Sequence, residues 1–164
     1  MKVLMLFMIL ATSLADGAPE VLKTRQLEAK KAGETVKQIN YKGGWVRILR
    51  DIKGDKHKAQ FIHDYNPDKK LMRTGFIYAP GSKPLTLMEI QSHMEMLFKD
   101  ITGAEYKPEH FIYQPHGGIA AFGWTKLYRG KLVILLFGER SVWCTTQEAD
   151  EASGRDQLPS PTVP

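Results

Sequence analysis

The chain has 164 residues, of which 43% are hydrophobic and 25% charged, an ordinary balance for one globular domain. A formal net charge of +5 favours anionic partners slightly but does not define a nucleic-acid binder. The single cysteine, Cys144, cannot close an internal disulfide, which sets the chain apart from the disulfide-stapled class of small secreted domains.

The first segment has the pattern of an export signal. Met1-Lys2 supplies one positive charge, Val3 to Leu10 is an unbroken apolar run, and Ala11 to Leu14 extends it with small residues before Asp16. Ser13-Leu14-Ala15 fits the small-x-small rule, so cleavage is expected after Ala15, with Ala18 as the second choice. The run falls short of the roughly 20 apolar residues needed to span a bilayer. No Asn-x-Ser/Thr sequon occurs, since Asn40 precedes Tyr41-Lys42 and Asn66 precedes Pro67. These features together predict a secreted or periplasmic protein with no transmembrane segment after signal cleavage.

Residues 16–40 form a charged arm in which lysines alternate with acids and apolar residues make no sustained face, as in a solvated helix or loose arm. The globular part is expected from Tyr41. Trp45 to Ile52 reads as a strand with Trp45, Arg47 and Leu49 on one side and Val46 and Ile48 on the other. Lys58 to Tyr65 reads as a second, with Ala59, Phe61, His63 and Tyr65 sharing a face, and Leu71 to Ala79 as a third. The polar turns between them, Lys53-Gly54-Asp55-Lys56 and Asn66-Pro67-Asp68-Lys69, imply antiparallel pairing.

The period then changes. Thr86 and Glu89 form a capping box, Leu85 and Ile90 sit where a hydrophobic staple belongs, and Leu87, Ile90, Met94, Leu97, Phe98 and Ile101 make one apolar stripe. With Gly103 as the stop, this predicts a helix over 87–102. Beyond it, Pro108 to Gly118 reads as strand plus loop, and Ile119 to Tyr128 as a strand. Lys131 to Phe137 is apolar enough to be a central strand covered on both faces, and Ser141 to Thr146 is the last strand. Residues 147–164 are rich in Glu, Asp, Gly, Ser and Pro and are expected to be a disordered tail.

The expected fold is therefore α+β. A mostly antiparallel sheet of about six strands, confined to residues 41–146, carries one main amphipathic helix on a face. The helix Leu87–Thr102 and the strand run Gly118–Thr146, with Gly123, Gly130 and Gly138, resemble the PsbP-like α/β/α sandwich family of small exported proteins. The likeness covers under half the chain, and it implies a binding or assembly-accessory role with no catalytic site to carry over.

The chemistry-bearing residues form no diagnostic motif. Cys144 with His110 or His116, and an acid such as Asp64, are the candidates for a thiol-based catalytic group, which needs a base within hydrogen-bond reach. Against that, Cys144 sits in a strand, where a free cysteine usually packs as a small hydrophobe. The five histidines (His57, His63, His93, His110, His116) match no metal-ligand spacing, so neither metal nor cofactor is expected. His116-Gly117-Gly118 lacks the Gly-x-Ser-x-Gly elbow of esterases, and Gly75 to Lys83 departs from the phosphate-loop spacing. Basic residues do alternate with aromatics around Trp45–Lys58 and Tyr128–Lys131, but export disfavours nucleic acid as a partner.

The expected function is that of an exported, non-enzymatic binding module: a protein-binding accessory, inhibitor or immunity-type factor. Its partner would be another protein or an anionic surface polymer. Trp45, Tyr65, Tyr128 and Arg129 are the candidate contacts, because interfaces favour aromatics and arginine. The alternatives are a small thiol hydrolase using Cys144, and a lipid or small-ligand carrier with a cavity lined by Met88, Met94, Met96 and Phe98.

Overall fold

Alternating apolar and polar positions form the strands, and the switch to a helical period forms the crossover that joins them. The computed structural model describes residues 27, 30–31, 35–53, 58–115, 122–128 and 130–161. The expected signal 1–15 lies outside these residues. The strands are β1 (Thr35–Asn40), β2 (Val46–Lys53), β3 (Lys58–Tyr65), β4 (Leu71–Tyr78), β5 (Ile112–Pro115), β6 (Phe122–Tyr128), β7 (Lys131–Phe137) and β8 (Ser141–Thr146). Helix α1 (Leu87–Thr102) follows β4, and helix α2 (Gln147–Gly154) follows β8.

The eight strands among the described residues belong to one antiparallel sheet, ordered β1-β2-β3-β4-β8-β7-β6-β5. It consists of two four-stranded meanders joined where β4 pairs with β8. The chain leaves β4, runs through α1 to the far edge at β5, and returns strand by strand. The α+β class and the main helix are as the sequence implies. The sheet has eight strands where about six are expected: β1 is the addition, while the four-residue β5 falls inside Pro108–Gly118, read as strand plus loop. Val36 and Ile39 of β1 are only half-buried, so alternation there is faint. β1 also lies inside the segment read as a charged arm.

Helix α1 is set by local chemistry. The Glu89 amide donates to Thr86 Oγ1 at 3.3 Å, and the Thr86 amide donates to Glu89 Oε2 at 2.8 Å. Gly103 ends it in the left-handed region at φ 69°, its N–H donating to the Lys99 carbonyl at 2.7 Å. Ile90, Met94, Leu97 and Phe98 face the sheet, against Phe61, Phe76, Leu135 and Val142. Fully burying side chains of this kind stabilises the fold by about 1.5–3 kcal/mol each.

The opposite face has its own core of Ile62, Ile134, Leu136 and Trp143. β7 therefore contributes Val133 and Leu135 to one face and Ile134 and Leu136 to the other. Gly75 lets β4 pass beneath Trp143: a Cβ there would lie 2.3 Å from Trp143 Cε3.

Of the segment 147–164, expected to be disordered, residues 147–161 instead fold onto the sheet. Thr146 Oγ1 accepts from the Ala149 amide, and Glu148 and Asp150 in the first turn complement the helix dipole. Ala149, Ala152 and Leu158 then bury against Trp45 and Met72. Average composition hid this because the buried face rests on two alanines and one leucine.

Candidate functional site

At the sheet end away from α2, the last residues of β2 and β4 and the first of β3 enclose a cleft of about 640 Å³. That size lies within the roughly 300–1,000 Å³ typical of small-ligand sites. Ile52, Ala59, Ile77, Tyr78 and Pro80 supply apolar wall, and Thr35, Asp51, Lys58 and Gln60 supply polar groups. The carboxylate of Asp51 is held in place: Thr35 Oγ1 donates to Oδ2 at 2.7 Å and Gln60 Nε2 donates to Oδ1 at 3.0 Å. Strand register causes this, since Thr35 and Gln60 both pair with Asp51 across neighbouring strands. Lys58 is exposed, and its ammonium has no partner among the described residues.

Tyr78 links the cleft to α1. Its hydroxyl lies 2.7 Å from His93 Nε2, and the His93 ring stacks on Phe76 at 4.6 Å between centroids. Burial raises the Tyr78 pKa and lowers that of His93, while the charge of Glu89 pulls His93 the other way. His93 is therefore neutral at neutral pH, and its Nε2 shares one hydrogen bond with the Tyr78 hydroxyl, the donor being set by the ring tautomer. The wall of the cleft is thus fixed to the helix by a polar contact in a mostly apolar seam.

A second polar cluster lies on the face away from α1, near α2. Asp64 accepts from Arg47 Nε at 2.7 Å, from Arg47 Nη2 at 2.9 Å and from Arg73 Nε at 2.7 Å. Arg73 also donates to Ser153 Oγ at 2.8 Å and to the Pro159 carbonyl at 2.7 Å. Burial opposes the charge of Arg47, but the hydrogen bonds and charge of Asp64 outweigh it and hold its pKa above the usual value. For Arg73 burial prevails over the same partner and the pKa falls. This cluster fastens the C-terminal segment to the sheet. The sequence carried a signal for it: Arg47 stands between Trp45 and Leu49 on a face otherwise apolar.

The residues singled out from the sequence do not converge. Cys144 is fully buried in the core under α1, and burial together with Asp100 pushes its thiol pKa up. It pairs with Thr74 on β4, whereas Asp64 pairs with Arg73 in the adjacent row and points to the other face. Asp64 is therefore no acid for a Cys144 group. His116 and Arg129 lie outside the described residues, and His110 and Tyr128 are described in backbone only.

Trp45, chosen as an exposed contact, is 4% exposed and packs with Ala149 and Leu158, because the helix that follows β8 covers it. Tyr65 is half-buried, its ring stacked 6.4 Å from His63. The residues expected to line a carrier cavity separate as well. Met94 and Phe98 are in the core, while Met88 is 81% and Met96 40% exposed. Among the described residues no group of three or more His, Cys, Asp or Glu side chains is placed to hold a metal, and no helix is long and apolar enough to cross a membrane.

No family model, curated protein or solved structure matches the chain.

Proposed function

We propose that this chain is an exported, non-enzymatic binding module, a protein-binding accessory, inhibitor or immunity-type factor, and that it recognises its partner through the cleft at the ends of β2–β4. The observation that carries this reading is the cleft itself. It joins an apolar wall to a carboxylate oriented by Thr35 and Gln60 and to the ammonium of Lys58. Such a mixture suits recognition, in which a few placed polar groups orient a ligand on an apolar surface. Export is supported by the pattern of Met1–Ala15. The likeness to the PsbP-like family points to the same kind of role.

The thiol-hydrolase alternative is disfavoured by the site of its nucleophile. A reactive cysteine needs an accessible, electropositive setting that lowers its pKa, and Cys144 has the opposite.

The test is affinity capture from the extracytoplasmic fraction of the native host, with the wild-type chain and a variant carrying Asp51→Lys and Lys58→Glu. Both residues are exposed, and the variant is compared only once its circular dichroism and Tm match those of the wild type. The proposal expects a stoichiometric partner that the wild type retains and the variant loses. A partner held equally by both would overturn the assignment of the cleft, and no partner at all would overturn the binding role.

A further inference from the structure

Resting on the reading of this chain as a binding module, we infer that its partner docks by strand addition. An extended, acidic segment of the partner protein pairs with the free edge of β1 and becomes the next strand of the sheet.

The two edges of the sheet are unlike. At one end, β5 has four residues and finishes at Pro115, which has no N–H to donate. At the other, β1 has six residues, no proline, and a register with β2 that is unbroken from Thr35 to Asn40. Shortness, proline, bulges and lysine are the usual means of closing an edge to a further strand. Of these β1 has only Lys37.

The hydrogen-bonding groups of this edge follow from one contact. The Tyr41 N–H donates to the Trp45 carbonyl at 2.8 Å, and that pair continues the β1–β2 register. Backbone groups alternate in direction along an antiparallel strand. Thr35, Lys37 and Ile39 therefore face β2, and the N–H and C=O groups of Val36, Gln38 and Asn40 face away from it. No strand among the described residues lies beyond β1, and Gln38 and Asn40 are exposed. Three alternate residues with donor and acceptor turned outward match the backbone of an extended chain. Thr35, the first residue of the edge, also lines the cleft, so a segment laid along β1 runs up to it.

Charge selects the occupant. The stretch from Thr35 to Lys42 contains Lys37 and Lys42, both exposed, and no acid. The one acid of β2, Asp51, is engaged by Thr35 and Gln60. An added strand with Glu or Asp opposite Lys37 gains a cross-strand ion pair, whereas like charges placed opposite each other destabilise. A second copy of β1 brings two more lysines and no acid. The edge therefore favours a foreign acidic strand over its own.

The probe is the hexapeptide acetyl-Thr-Val-Glu-Val-Glu-Thr-amide, titrated at low salt into the full isotope-labelled chain and followed by amide hydrogen exchange. In the free chain the amides of Val36, Gln38 and Asn40 should exchange faster than those of Lys37 and Ile39 at every protein concentration. Peptide in roughly tenfold excess over its Kd should slow those three by about tenfold. The counterpart with lysine in place of both glutamates should bind about two- to fivefold more weakly, the scale of an exposed ion pair. Lys37→Glu should reverse that order. Gln38→Pro removes an N–H that β2 does not use, so Lys37 and Ile39 should stay protected while peptide binding is lost. The two peptides test the idea on the unaltered chain, whatever a variant does to folding.

Acidic and basic peptides that bind equally would overturn the inference, as would outward amides that keep their rates at millimolar acidic peptide. Protection of those amides in the free chain would overturn it too. If that protection grows with protein concentration, a second copy takes the edge; if it does not, the chain covers its own edge. The binding-module reading fails separately, when capture returns no partner. Strand addition fails with that reading intact when a captured partner leaves Val36, Gln38 and Asn40 exchanging freely.

Discussion

Replacing Asp64 with Asn leaves two guanidinium groups in the protein without their shared counter-charge. Asp64 and Arg73 side chains are both 0% exposed and that of Arg47 is 10% exposed. Three charge-assisted hydrogen bonds end on the Asp64 carboxylate. Such bonds are worth about 1.5–3 kcal/mol each, but they share one group and part of the loss is recovered by relaxation and water entry. Breaking a buried pair costs about 3–5 kcal/mol in practice, and that is the expected loss. For a chain of this size it corresponds to a fall in Tm of roughly 6–20 °C. Urea unfolding followed by tryptophan fluorescence measures it, with an unchanged m value showing that the folded state is otherwise intact.

A companion variant sharpens the test. Changing all three charged residues to apolar ones of similar size (Arg47→Met, Asp64→Leu, Arg73→Met) removes the unpaired charge altogether, and should cost less than Asp64→Asn alone. A loss under about 1 kcal/mol for Asp64→Asn, where several are expected, would refute the reasoning, as would a triple variant that is the less stable of the two.

Other consequences can be measured directly. Gly75→Ala would force a methyl against Trp143 Cδ2 at 2.5 Å and the Val142 carbonyl at 2.9 Å. It should cost about 1–3 kcal/mol or more in the same unfolding assay, with an altered near-ultraviolet tryptophan signal. The Cys144 thiol should ignore a chromogenic disulfide in the native protein and react fully in denaturant, because it is buried and its pKa is raised. Burial lowers the His93 pKa below its ordinary 6.5. The unfolded chain then takes up a proton first as pH falls, so this group's contribution is complete above about 6.5 and declines below it, until the folded pKa is passed. An NMR titration of His93 should give a midpoint below 6.5, and His93→Gln should flatten the slope of stability against pH in that range.

The parts of the fold legible in the sequence were those governed by local chemistry. The capping box at Thr86 and Glu89, the stripe from Ile90 to Phe98 and the stop at Gly103 define α1 without reference to the rest of the chain. The run Lys131–Phe137 announced a strand covered on both faces for the same reason. The edge strand β1 was hidden because one of its sides meets no neighbour and so imposes little pattern.

The C-terminal helix was misread because its order comes from tertiary contacts: Arg73 reaching Ser153 and Pro159, and Trp45 receiving Ala149 and Leu158. The cleft was invisible for a different reason. Thr35, Asp51, Lys58, Gln60 and Ile77 are brought together only by strand register, and none is unusual in its own segment. The candidate thiol illustrates the converse. Cys144, Asp64 and the histidines are chemically suggestive as a list, but strand alternation sends Cys144 and Asp64 to opposite faces.

The central claim, that this is an exported binding module, is tested most directly by isolating the native complex from fractionated host cells and measuring intact masses. The account predicts a chain beginning at Asp16 or Pro19 in the extracytoplasmic fraction, in stoichiometric complex with a partner. A full-length chain found alone in the cytosol would contradict it.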